Sequence, residues 1–220
     1  MAKENGVSLS VIKRLPKYYR YLESINDRGI VRVSSKELSE ITGLTASQIR
    51  QDLNHYGCFG QQGYGYNVKE LMDELSKIIG VDKQYNMVLI GYGNIGHALY
   101  QYKTFRDLGY TFTAVFDKET SNKEIEVKDI DELSDYLKNN KVDIGIIATP
   151  KEASQDVCDV LCDGEVMGIW NFSPVDLKTK NGVVLENVHL DESLFTLTYF
   201  INSPEDFNCL LYTSQSPREV

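Results

Sequence analysis

With 220 residues the chain has room for one large domain or two modest ones. Hydrophobic residues at 42% and charged residues at 25% exclude a disordered or fibrous protein. No run approaches the ~18–20 apolar residues of a membrane span. The opening MAKENGVSLSVIKRL lacks the apolar core of a signal peptide, so a cytoplasmic protein with no membrane partner is expected. The net charge of −9 hides an asymmetry: residues 1–66 hold nine Lys and Arg against six Asp and Glu, and the rest of the chain 14 against 26. A mildly basic head on an acidic body is the distribution that a nucleic-acid-binding head needs.

The cysteines (Cys58, Cys158, Cys162, Cys209) and histidines (His55, His97, His189) form no paired knuckles, so no metal site is expected. Cys158 and Cys162, one helical turn apart, read as buried small hydrophobes.

The head opens with Ile12, Leu15, Tyr18 or Tyr19, Leu22 and Ile25 at helical spacing, and Pro16 is expected in the first turn of that helix. Ser34 with Glu37 is a capping box, Leu38 and Ile41 give the next helix its apolar face, and Gly43 ends it. Thr45 with Gln48 reads as a second capping box, followed by the stripe of Ile49 and Leu53. Two short capped helices joined by a glycine turn predict a helix-turn-helix, whose second helix enters the major groove. Its groove-facing candidates are Thr45, Ala46, Ser47, Gln48, Arg50, Gln51 and Asn54, a set rich in groups that pair with bases or phosphates. The following Phe59–Tyr66 run holds three glycines and no acid, the composition of a short hairpin. Such a hairpin after a recognition helix is a wing, with Gln61, Gln62, Gly63 and Tyr64 as its DNA-contacting candidates.

The body begins after residue 80. Asn86–Ile90 reads as a buried parallel strand leading into Gly91-Tyr92-Gly93-Asn94-Ile95-Gly96, a G-x-G-x-x-G run with a helical pattern behind it (Ala98, Leu99, Tyr102, Phe105). A second strand, Thr111–Phe116, ends in Asp117, 21 positions past Gly96. This is the dinucleotide fingerprint. Gly91 makes the tight turn, Gly93 lets a pyrophosphate approach, and Gly96 lets helix and strand pack closely. Asp117 accepts from the adenosine ribose, which favours NAD(H) over its 2′-phosphorylated relative. Further strands are expected at Val142–Ala148, Val166–Phe172 and Val183–Leu185, with Thr149 and Pro150 opening a ligand-side loop and a helix over 151–162. Leu190, Leu194, Leu197 and Ile201 stripe a last helix more apolar than its surroundings require, read as a dimer element. The expected organisation is therefore α/β: a winged helix-turn-helix domain (1–80), a Rossmann-type parallel-sheet domain (81–189), a C-terminal dimerisation helix (190–203) and an unstructured tail (204–220).

The segments RLPKYYRYL, SSKELSEITGLTASQIRQDL, FGQQGYGYNV, GYGNIG and LENVHLDESLFTL, in this order over residues 8–203, resemble the Rex family of bacterial redox-sensing repressors. The resemblance implies a homodimer on a palindromic, AT-rich operator. It implies NADH as the releasing ligand, NAD+ as its competitor, and a last helix swapped between subunits. By position it implies that Tyr102 lies near the nicotinamide and that Arg20 faces the partner's cofactor domain. Where part of the family pairs that arginine with an aspartate, this chain has His189, with Asp191 nearby. Gln51 and Gln62 stand where many relatives carry Lys or Arg. No catalytic residues are expected. The rival readings are an NAD-dependent oxidoreductase with an accessory helical domain, which lacks an evident catalytic set, and a nucleotide-binding subunit resembling CoA-binding domains.

Overall fold

A computed structural model of the chain describes residues 7–57, 60–61, 64–121 and 125–205. The chain divides into two compact units, one running up to Asp82 and including residues from Tyr199 onward, the other Lys83–Thr198. Among the described residues no helix is long and apolar enough to cross a membrane, and no group of three His, Cys, Asp or Glu could hold a metal ion.

The head contains α1 (Leu9–Asp27), β1 (Arg32–Val33), α2 (Ser35–Thr42), α3 (Ala46–Asn54), β2 (Gly60–Gln61), β3 (Gly65–Asn67) and α4 (Val68–Ile79). Pro16 is not in the first turn of α1 but inside the helix, which starts at Leu9. An interior proline removes one hydrogen bond and costs of order 3 kcal/mol. Val11, Leu15, Tyr18, Leu22 and Ile25 are all buried on one stripe of an unbroken helix, and each large apolar side chain so buried contributes ~1.5–3 kcal/mol. That stripe outweighs the proline. Its last four members pack with Leu38 of α2, Ile49 and Leu53 of α3, and Leu71 and Leu75 of α4. The glycine-rich hairpin forms as β2 and β3, and β1 adds a third antiparallel strand to give the order β1-β3-β2. This is a winged helix-turn-helix.

The body runs β4 (Tyr85–Ile90), α5 (Asn94–Gln101), α6 (Thr104–Asp107), β5 (Tyr110–Asp117), β6 (Lys128–Asp129), a 3₁₀ turn at Ile130–Glu132 and α7 (Leu133–Asn139). It continues with β7 (Ile144–Ile147), α8 (Lys151–Asp163), β8 (Gly168–Asn171), β9 (Val184–Asn187) and α9 (Leu190–Asn202). The strands form one parallel sheet in the order β6-β5-β4-β7-β8-β9. Alternation along β4 feeds both faces: Met87 and Leu89 pack with Val115 and Ile146, while Val88 and Ile90 pack with Phe116, Ile147 and the buried face of α8. Strand order reverses between β4 and β7, and the crevice beyond their carboxyl ends is where doubly wound sheets bind ligands.

Several boundaries differ from the sequence reading. The third large strand starts at Ile144 rather than Val142; just before it the buried Asp143 carboxylate accepts from the Asn86 N–H at 2.8 Å. The helix after the glycine run stops at Gln101, where Tyr102 takes extended backbone, and Phe105 belongs to α6. Cys158 and Cys162 are fully buried on α8, and burial pushes the Cys158 thiol up to about 12, so it stays protonated and inert at neutral pH. Pro204 and Glu205 have helical backbone; the rest of the tail, together with Cys58, Gln62 and Gly63, lies outside the described residues.

Candidate functional site

The head's candidate surface is set by caps. Ser34 and Glu37 form the full capping box at the start of α2, and Gly43 ends α2 in the left-handed region that starts the turn. Thr45 caps α3 by accepting from the Gln48 N–H at 3.1 Å. The return bond from the Gln48 side chain, expected of a second box, is not among the described hydrogen bonds, so only half of that box forms. Ile49 and Leu53 are buried, which turns Ser47, Arg50, Gln51 and Asn54 outward around an open depression shared with His55. Ala46 is half-buried and Thr45 exposed. Arg50 Nη1 donates to Ser35 Oγ at 2.8 Å, which steadies the guanidinium and leaves its other donors available.

Sequence reasoning missed what holds α3 in place. Asp52, the acid of α3, points inward. It accepts from Arg14 Nε at 2.6 Å, Arg14 Nη2 at 2.7 Å and the Tyr18 hydroxyl at 2.6 Å. Burial alone would raise the Asp52 carboxyl; the hydrogen bonds from Arg14 and Tyr18 and the guanidinium charge outweigh it and hold the group below the usual carboxylate range. Lys17, one turn along α1, donates to the Thr42 carbonyl at the end of α2 at 2.6 Å. Helix α1 thus grips both helices of the motif. The signal was present in the spacing: Asp52 sits three residues after Ile49 and one before Leu53, within the buried stripe. In the wing Gln61 pairs with Gly65, and Tyr64 is 70% exposed with the Arg32 guanidinium 5.9 Å from its ring, a cation the sequence reading did not include.

The body holds a cavity of about 750 Å³ at the carboxyl ends of the strands. Gly91, Gly93, Asn94, Ile95, Asp117, Thr149 and Pro150 line it, all expected; Ile130, Ala153, Val157, Phe172 and Pro174 add an apolar wall that was not. Gly91 has φ +95°, and a Cβ there would lie 2.5 Å from the Ala148 carbonyl oxygen. A Cβ on Gly96 would lie 1.9 Å from the Gly91 carbonyl oxygen, so Gly96 supports the turn from behind rather than facing the cavity. At Gly93 a Cβ would meet nothing within 4 Å. That open space lies at the start of α5, and α8 opens on the same cavity behind Pro150, so two helix N-termini, whose first N–H groups have no partner within the helix, border it.

Asp117 ties the loop together: one carboxylate oxygen accepts from the Tyr92 N–H and the other from the Glu119 N–H. Two acceptor sites remain for ribose hydroxyls. The Tyr92 ring does not line the cavity; it packs beside His97 and Tyr100 on the face of Met87 and Leu89, because the left-handed backbone at Gly91 breaks the strand alternation that would have placed it with Val88 and Ile90. Tyr102 does not line it either. It caps α5 at 55% exposure with its ring against Phe105. Arg20 is exposed on α1, its guanidinium over Tyr21. Asp191 is exposed in the first turn of α9. His189 meets Asp176 at 3.0 Å, a partner that sequence reasoning did not foresee. None of the α9 residues is buried, and Leu194, Phe195, Leu197 and Ile201 are each more than half exposed. A second, apolar cleft of about 370 Å³, lined by Met87, Phe105, Ile144, Ile169, Trp170 and Val184, opens on the body.

Comparison with known proteins agrees with both halves. Residues 6–54 match the family described as putative DNA-binding protein N-terminus, and residues 82–175 the CoA binding domain. The chain is 53% identical to the redox-sensing transcriptional repressor Rex of Clostridium tetani, over 94% of this chain and 100% of the relative. It is 49% identical to that of Thermoanaerobacter pseudethanolicus, over 96% of each. Among solved structures it resembles RSP in complex with β-NAD+ and operator DNA, with a TM-score of 0.84 and 47% identity over 96% of this chain and 99% of that one. RSP in complex with β-NADH gives 0.82 and 45%, over 93% and 98%.

Proposed function

The chain belongs to the Rex family of redox-sensing transcriptional repressors, and we propose that α3 and the wing read operator DNA while the body cavity binds NAD(H), the reduced form releasing the DNA. The observation that supports this most is one chain carrying both a capped helix with an outward polar face and a glycine-turn cavity closed by an acidic strand end. Relatives of this length are named repressors rather than enzymes, and the oxidoreductase reading is set aside.

In the body, the N–H groups at the starts of α5 and α8 take the pyrophosphate, Asp117 takes the adenosine ribose, and Phe172 and Pro174 flank the nicotinamide side. When bound, the cofactor supplies a ring that is neutral if reduced and cationic if oxidised. The apolar side chains of Ala153, Val157 and Phe172 favour the neutral ring, because a buried unpaired charge is costly; among the described residues Glu152 is the one carboxylate on that side of the cavity. Moving a two-state dimer from 1:99 to 99:1 needs a preference of about 5.5 kcal/mol between states.

The partner in that dimer is a second copy of the chain. The exposed apolar stripe of α9 and the apolar cleft of the body are surfaces that two copies would cover for each other, and Arg20, Tyr102, His189 and Asp191 are the proposed switch residues. Two heads then read the two halves of an AT-rich palindrome in the cytoplasm, with Gln48, Gln51 and Asn54 suited to adenine edges. Fluorescence anisotropy on a labelled AT-rich palindrome tests the whole reading. NADH should release the DNA and NAD+ should oppose the release. Tight DNA binding indifferent to both nucleotides would overturn it, and competition of NADH by CoA would assign the cavity to that ligand instead.

A further inference from the structure

The loop that walls the far side of the cavity is joined to the root of α9 by two polar ties. Asn171 ends β8 and is fully buried. Its Nδ2 donates to the Val175 carbonyl and to Asn187 Oδ1, both at 2.8 Å, and its Oδ1 accepts from the Ser173 N–H at 2.9 Å and Ser173 Oγ at 2.6 Å. The amide uses two donors and two acceptor sites, its full complement. Asn187 ends β9, and the next residue, Val188, donates its N–H to the Asn171 carbonyl at 2.8 Å. His189, the last residue before α9, closes the second tie through Nε2 to Asp176 Oδ1 at 3.0 Å. Between the ties lie Phe172 and Pro174, which face the cavity.

A satisfied, buried amide network is stiff, because each group left unpaired costs about 1–3 kcal/mol. Residues 173–175 and 187–188 are thereby tied to one buried amide, and the His189–Asp176 contact adds a second, solvent-exposed tie. We propose that this Asn171-centred bracket couples the cavity to the last helix, so that a ligand displacing the Phe172–Pro174 wall carries the root of α9 with it. The inference rests on the reading that NADH releases operator DNA through a dimer built on α9. It assigns coupling to residues that need touch neither nucleotide nor DNA: Asn171, Asn187 and Asp176.

The test cuts both ties at their accessible ends, in the full chain, with Asn187→Ala and Asp176→Ala together. Asp176 is 82% exposed and Asn187 half-buried. Because Asn187→Ala leaves a buried Asn171 donor without its acceptor, thermal unfolding of each variant accompanies the binding measurements, with Asn187→Asp as the acceptor-retaining control. Operator Kd is measured with and without saturating NADH, and NADH Kd separately. The double variant should keep ligand-free operator Kd and NADH Kd within about twofold, while the ratio of operator Kd values with and without NADH falls about fivefold or more. Asn187→Asp, which retains the acceptor oxygen for Asn171, should restore most of the ratio when Asp176 is intact. A ratio equal to that of the wild type overturns the bracket and leaves the functional reading standing. A parallel loss of NADH affinity also overturns it, because the bracket would then only shape the cavity. A wild-type ratio of one overturns the functional reading and the bracket's role with it.

Discussion

The head and the body build their sites from opposite materials. In the head, the groups turned outward on α3 are side chains, and the backbone is consumed inside helices and their caps. In the body, the polar part of the cavity is largely backbone, N–H groups at two helix starts and a glycine turn, and the side chains around it are mostly apolar. A side-chain surface can be retuned one residue at a time. A backbone site admits no added atom at Gly91 or Gly96, where a Cβ would strike a carbonyl. The head's weak point is therefore not its surface but what holds the surface in place.

Asp52→Ala should have the largest effect. It leaves the Arg14 guanidinium and the buried Tyr18 hydroxyl without their shared acceptor, and losing one partner of a buried pair costs about 3–5 kcal/mol. Arg14 is 20% exposed, which places the expected loss at the low end, about 3 kcal/mol in urea unfolding of the head. Operator affinity should fall at least tenfold while NADH affinity is unchanged. Because the folded carboxyl is held low, its contribution is present above the ordinary carboxylate pKa and is lost as pH falls through the folded value. Full operator affinity in Asp52→Ala would show that α3 is positioned by its apolar stripe alone.

Gly96→Ala attacks the body in the same way. The new Cβ cannot coexist with the Gly91 carbonyl oxygen, and forced overpacking costs about 1–3 kcal/mol. Gly93→Ala is its control, since its Cβ meets open space. Gly96→Ala should lower both body stability and NADH affinity, whereas Gly93→Ala should lower only NADH affinity, both read by calorimetry and thermal unfolding. Equal NADH affinity in Gly93→Ala and wild type would mean that the open space is not where the ligand lies.

Much of this was legible in the sequence. Ser34 and Glu37 announce a helix because the capping box is local, and the Gly91–Gly96 run between a strand and a helix announces a turn because steric demands on glycine are local. What was missed depends on partners far along the chain. Arg14 and Asp52 are 38 residues apart, and Asn171 and Asn187 are 16 apart. Strands of two residues such as β1 and β6 carry no alternation to detect. Pro16 reads as a helix start because propensity is local, and the stripe that overrides it is tertiary. Tyr92 counted as a ligand residue because it lies inside the motif, yet the left-handed turn at Gly91 sends its ring to the face of Met87 and Leu89.

Arg50→Gln sharpens the contrast on the DNA side with a smaller effect. Its guanidinium is steadied by Ser35 and exposed beside Gln51 and Asn54. A phosphate contact there predicts a salt slope of operator binding lower by about 1, with weaker binding spread evenly over operator variants. A change confined to one base position would make Arg50 a base reader instead.

The smallest effect concerns His189, where head and body differ in solvent exposure as well as material. Its hydrogen bond to Asp176 raises the imidazole above its ordinary value, partial burial opposes this, and the charges of Asp176, Glu192 and Asp191 add to the rise. A raised folded pKa contributes stability that is present below the unfolded value of about 6.5 and is lost as pH rises through the folded value. The pair is solvent-screened, so the effect on unfolding should be slight beside that of Asp52. The titration itself is the sharper measurement: the His189 ring proton should show a midpoint above about 6.5 by NMR, moving down in Asp176→Ala. A midpoint unmoved by removing Asp176 would mean that Asp191 and Glu192 hold the proton, and the imidazole would then answer to the first turn of α9 rather than to the cavity wall.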